Sequence, residues 1–152
     1  MRMALREAEK ASSDGEVPTG CVIVEEPQDE APPSAWKILG RAHNMTEGLT
    51  DATAHAEMLA LSQAFAAKGN WRLTSARLYV TKEPCPMCAG AIVLARIKTV
   101  IWGVSDPKRG GGTEFKIFEH PGINHHPEIV TGVLEFESKS LLQDFFRRRR
   151  NE

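Results

Sequence analysis

Leu78–Val104 reads LYVTKEPCPMCAGAIVLARIKTVIWGV, and its parts follow different periods. Leu78 and Val80 alternate with Tyr79 and Thr81, the two-residue period of a strand. Pro86 then takes the first-turn position that a helix tolerates, and the apolar run from Met87 predicts a helix to about Arg96. Thr99–Val104 follows as a strand with few polar interruptions, as expected when both sheet faces are covered. Strands alternating with helices in this way imply an α/β sandwich whose sheet is at least partly parallel.

Upstream, Asp51 or Thr53 can cap a helix in which Met58, Leu61 and Phe65 recur at i, i+3 and i+7, and Gly69-Asn70 closes it. Cys21-Val22-Ile23-Val24 is a branched apolar run that predicts a strand, and Trp36 to Ala42 resumes an extended pattern. Between them lie Pro27, Pro32 and Pro33, so the two strands form a hairpin with a long surface connection. Arg2 to Ser12 spaces Leu5, Ala8 and Ala11 helically until Asp14-Gly15 and Pro18 break the pattern. Near the C-terminus, Leu141, Leu142 and Phe145 make a helical apolar stripe, with a last helix over about 137–150. No repeat or long linker interrupts the chain, so one domain over 1–152 is expected.

The 152 residues are 41% hydrophobic and 26% charged, with 19 basic and 20 acidic side chains. That balance excludes a disordered chain. A domain of this length buries roughly 68 to 70% of its unfolded surface and needs no disulfide staples. Of the three cysteines, two lie three positions apart, which suits a reducing compartment and metal or thiol chemistry. The longest apolar run, Met87 to Ala95, is about half a membrane span. Met1-Arg2-Met3-Ala4-Leu5 turns charged at Arg6-Glu7 and offers no signal-peptide apolar region. A cytoplasmic location is expected, with no membrane contact. The near-neutral net charge conceals an acidic cluster, Glu25, Glu26, Asp29 and Glu30, and a basic end, Arg147-Arg148-Arg149-Arg150. That end suits either a polyanion or the negative pole of a helix.

His55, Cys85 and Cys88 are the potential metal ligands. The C-x-x-C spacing lets two sulfurs reach one ion where the chain turns into a helix, and His55 supplies nitrogen from another helix mouth. Helix N-termini also favour thiolates. Three protein ligands without an obvious fourth mark a catalytic zinc, one per subunit, with a position left for water. His43, His120, His125 and His126 lack ligand spacing, and Cys21 belongs to the core by its apolar neighbours. Within one helix, His55 and Glu57 would point about 200° apart. They share a site only off the helix end, where Glu57 would move protons without ligating the ion.

His55-Ala56-Glu57 with Pro84-Cys85-Pro86-Met87-Cys88 resembles the zinc-dependent nucleoside and nucleobase deaminases of the cytidine deaminase superfamily, whose signature assigns these same roles. Residues 51–61, Gly69-Asn-Trp-Arg-Leu, Leu78-Tyr-Val-Thr, Cys85-Pro-Met-Cys-Ala-Gly-Ala and Phe145-Phe146-Arg147-Arg148-Arg149-Arg150 resemble the bacterial tRNA adenosine deaminases more closely, over nearly the whole chain. The resemblance implies a three-layer α/β/α sandwich around a mixed sheet of about five strands, and a homodimer. It implies hydrolytic conversion of adenosine to inosine at the wobble position of a tRNA anticodon stem-loop, with release of ammonia. Asn44 would meet the flipped base, and backbone amides near Ala56 and Cys85 would stabilise developing negative charge. Asp106, Lys108, Asn124, His125, Phe146, Arg147 and Arg149 would contact RNA, while Phe145 belongs to the core.

Some positions depart from that pattern. Lys82 stands where Leu is usual, Thr19 where Val is usual, and His126 where Arg is common. Residues 109–115 replace a small-residue loop, with Glu114 adding an acid, and 25–35 lengthen the hairpin. A free guanine, cytosine or nucleoside deaminase would share the same zinc chemistry without needing the basic tail. A non-catalytic zinc or RNA-binding module would have no use for Glu57.

Overall fold

A computed structural model describes residues 1–151; Glu152, the last residue of the expected domain, lies outside them. The regular elements are α1 (Arg2–Ser13), β1 (Gly20–Glu25), β2 (Lys37–His43), α2 (Ala56–Lys68), β3 (Ala76–Lys82), α3 (Pro86–Leu94), β4 (Thr99–Val104), β5 (Glu128–Val130) and α4 (Glu135–Arg150). The strands form one sheet in the order β2-β1-β3-β4-β5. β1 pairs antiparallel with β2 and β3, whereas β3, β4 and β5 run parallel. The expected mixed sheet of five strands is thus observed. α1 and α4 cover one face and α2 and α3 the other. Val100, Ile101 and Trp102 of β4 are accordingly buried.

Glycine permits close packing on each face. A Cβ at Gly20 would run into the Ala4 carbonyl of α1, and one at Gly40 into the Ala60 carbonyl of α2. Small residues complete both contacts: Ala4, Ala8 and Ala11 are fully buried in α1, and Ala60 and Ala64 in α2. The core face of α2 is therefore alanine with Leu61, while Met58 and Phe65 remain only half-buried.

The α2 start corrects the sequence expectation. His55, in extended conformation, is the N-cap residue, while the Asp51 carboxylate accepts the Thr53 N–H and hydroxyl in a preceding turn. Gly69 closes α2 in the left-handed region with φ 64°, as predicted. α3 stops at Leu94, short of Arg96, which takes a positive φ of 61°.

Strand direction places the site. The C-terminal ends of β2, β3 and β4 and the N-terminal end of β1 share one edge of the sheet. The crevice beyond strand C-termini is where open α/β sheets hold ligands. No helix among the described residues is long and apolar enough to cross a membrane.

Candidate active site

A pocket of about 510 Å³ opens at that edge, lined by His55, Glu57 and Cys85 with Asn44, Lys82 and Phe146 among its walls. His55 enters it from the residue before α2, so the opposed directions expected of two helical side chains do not apply. Its extended backbone frees the ring to meet the sulfurs while Glu57 uses the first turn of α2. Cys85 is likewise an extended N-cap, and Pro86 starts α3 immediately after it.

The three donor atoms lie within 4.8 Å of one another, the only such grouping of His, Cys, Asp or Glu among the described residues. His55 Nδ1 is 3.5 Å from the Sγ of Cys85 and 3.5 Å from that of Cys88. Tetrahedral zinc with ordinary Zn–N and Zn–S bonds has an N-to-S edge of about 3.5 Å, so the donor set and its spacing fit zinc.

Electrostatics point the same way. The Cys88 thiol and then the His55 ring favour ionised Cys85, whose value falls to about 4. Cys88 is driven upward by the Cys85 sulfur and by burial. Two sulfurs contesting one proton is the conflict that a divalent cation removes by holding both as thiolates. His55 is raised, chiefly by its bond with Cys85. Glu57 is 3% exposed, and burial lifts its carboxyl to about 7.

Asn44 is buried, and its Oδ1 accepts the Ala56 N–H at 2.9 Å. The Ala56 amide is therefore already engaged, contrary to its expected role as a free donor. Asn44 is no simple turn residue: it ties the end of β2 to the mouth of α2. Phe146, 45% exposed, lines the pocket, while Phe145 is buried, as the apolar stripe predicts.

The remaining expected contacts divide. Asp106 and Lys108 line the pocket. Asn124 and His125 do not: His125 Nε2 pairs with the Ile97 carbonyl at 2.7 Å, beside the N-terminal end of β4 and away from the pocket. His126 pairs with the Phe118 carbonyl and Glu114 is also absent from the lining, so neither departure touches the pocket wall. Arg147 and Arg150 share a second groove with Phe146 and Lys139. Arg149 instead stacks over Phe145 and reaches the Gly15 carbonyl, and Arg148 donates to the Ser12 hydroxyl.

Glu83 is a participant that its sequence position did not reveal. It is 2% exposed and receives the Asp106 N–H at 2.6 Å, the Thr113 N–H at 2.6 Å and the Thr113 hydroxyl at 2.8 Å. The available signal was the run Gly110-Gly111-Gly112, because Cβ atoms at 110 and 112 would collide with or crowd the Glu83 carboxylate. Glu83→Gln replaces one acceptor with a donor facing N–H or O–H groups. The expected cost is about 2 kcal/mol, seen as a Tm fall of roughly 4–8 °C. An unchanged Tm would deny Glu83 its anchoring role.

A family model of the MafB19-like deaminases matches residues 1–150. The chain is similar to the tRNA-specific adenosine deaminase of Bacillus subtilis (strain 168), with 46% identity over 153 residues, covering 100% of this chain and 89% of that protein. It is 43% identical to the tRNA-specific adenosine deaminase of Streptococcus pyogenes serotype M18 over 151 residues, covering 99% and 89%. A solved structure from studies of A-to-I editing by tRNA:A34 deaminases at the wobble position of transfer RNA superposes with a TM-score of 0.84. That pair is 40% identical over 93% of this chain and 97% of the other.

Proposed function

The chain belongs to the tRNA-specific adenosine deaminases within the MafB19-like deaminase family, and on that premise we propose that it converts adenosine 34 of a tRNA anticodon to inosine. The observation that carries this reading is the clustering of His55, Cys85 and fully buried Cys88 at a pocket that buried Glu57 also lines. His55, Cys85 and Cys88 would hold one zinc ion, whose Lewis acidity would make water nucleophilic near neutral pH.

Glu57 takes a proton from the attacking water and delivers one to the exocyclic amine. The water's other proton goes to N1 as the C6=N1 double bond opens; the C6–N bond to the amine then breaks, ammonia leaves, and C6 keeps the oxygen as a carbonyl. Burial suits the carboxyl to both transfers, because no bulk water competes for its proton. Asn44 holds the mouth of α2, and its amide nitrogen is the group that would meet the base. Phe146 offers a ring at the rim on which a base can stack. The anticodon loop is single-stranded, and a flipped base can enter a pocket of this kind. We place the reaction in the cytoplasm, in a single domain that forms a homodimer. The small residues Ala89-Gly90-Ala91 on α3 would let a second chain approach closely there.

Incubating the protein with tRNA carrying adenosine 34, and separately with free guanine, cytosine and adenosine, tests the reading. Inosine at position 34 is expected; ammonia from a free base or nucleoside but none from tRNA would overturn it. The basic tail sharpens the contrast. Arg148 reaches Ser12 of α1 and Arg149 the Gly15 carbonyl just beyond it, so truncation would mix folding with binding. Arg147 and Arg150 line the groove beside Phe146, and changing both to Gln should raise the KM for tRNA about tenfold. Two lost phosphate contacts on single-stranded RNA should flatten the salt slope by about 1.4. Unchanged KM and salt slope would remove that groove from the RNA path.

A further inference from the structure

We propose that Lys82 binds a phosphodiester oxygen of the RNA strand at the pocket mouth, an inference that rests on the RNA-editing reading above. Lys82 ends β3, three residues before Cys85, and its ammonium lies 2.6 Å from Asp106 Oδ2. The other oxygen, Asp106 Oδ1, accepts the N–H groups of Lys108 at 3.1 Å and Arg109 at 3.0 Å. Asp106 is thus tied to its own loop, and its N–H ties that loop to Glu83. A carboxylate fixed in this way presents the ammonium at a set place, so little ordering remains to be done on binding.

The charges around Lys82 suit an anion. An ammonium has three donors; Asp106 takes one, and 32% of the Lys82 side chain remains open to solvent. Lys108 and Arg109 line the same wall and are exposed. The carboxylates that line the pocket are engaged or withdrawn: Glu83 by Asp106 and Thr113, Asp106 by Lys82 and its own loop, and Glu57 by burial. A base deep enough to meet Glu57 leaves its ribose and flanking phosphates at this mouth. A partly exposed ion pair adds little to stability, so the loop, already held by Glu83, has little need of Lys82 as a brace.

The test uses an anticodon stem-loop carrying adenosine 34 and a series in which each phosphodiester beside that nucleotide is singly replaced by neutral methylphosphonate. Kd is read by fluorescence anisotropy for the wild type, Lys82→Gln and Lys82→Arg, and inosine formation is scored separately. Absence of inosine from the wild type would defeat the editing reading, whereas Kd decides the role of Lys82. Lys82→Gln should raise Kd about tenfold and lower the slope of log Kd against log salt by about 0.7. One methylphosphonate should weaken the wild type about tenfold and Lys82→Gln no further, and Lys82→Arg should keep the wild-type slope. If Lys82→Gln keeps the wild-type Kd and slope, or every methylphosphonate weakens both proteins equally, Lys82 is only a tie to the 106–113 loop and the proposal falls.

Discussion

Glu57→Ala is expected to fold, to retain zinc and to form no inosine. Acid–base catalysis by one positioned group contributes about 10²- to 10⁴-fold, and in the proposed reaction one carboxyl would serve both the attacking water and the departing amine. The loss should lie at the upper end of that range. Stability should hold or rise, because the residue removed is a buried carboxyl raised to about 7 by desolvation. Glu57→Gln keeps shape but not proton capacity and should be as inactive. Sequencing for inosine, elemental analysis and a melting curve on one preparation read all three quantities. Turnover near that of the wild type would refute the assignment.

Cys88→Ala should lose activity in a different way, by losing the metal. Cys88 is fully buried at the start of α3, and its sulfur lies 3.5 Å from His55 Nδ1. Removing it leaves two donors and a void, and the metal's contribution to folding goes with it. A site saturated a thousandfold above its Kd contributes about 4 kcal/mol, so Tm should fall by roughly 8–16 °C. Added zinc should not restore either property. The two variants separate the roles: both are inactive, but only Cys88→Ala is metal-free. Stoichiometric zinc in that variant would show the ligand set to be wrong.

The strand–helix–strand unit at 78–104 was legible because its periods are intrinsic to the chain. Thr99–Val104 matches β4 residue for residue. β5 was not legible: Glu128-Ile129-Val130 is short and exposed, so burial writes no pattern into it. The grouping of His55 with Cys85 and Cys88 was readable because the C-x-x-C spacing is local and the deaminase signature in the resemblance joins it to His55, thirty residues before Cys85. The helix boundary between His55 and Ala56 was not, since no side-chain hydrogen bond marks the cap. Asn124 and His125 match an Asn-His pair of the resembled family and were expected to contact RNA, yet the fold carries them toward the opposite end of β4, where His125 holds the Ile97 carbonyl. The arginine run reads as one charge in sequence. In the fold it divides, with Arg148 held by Ser12 of α1, Arg149 by Gly15 just beyond it, and Arg147 and Arg150 lining the outer groove. Glu83 was harder to single out because its partners lie in a loop more than twenty residues away, and its one trace in the sequence is the glycine run at 110–112.

Zinc titration of chelated protein, with inosine at tRNA position 34 counted at each addition, tests the central claim most directly. Editing should be absent from metal-free protein, rise in proportion to added zinc and level off at one ion per chain. Full editing by protein shown to contain no metal would contradict the site built from His55, Cys85, Cys88 and Glu57.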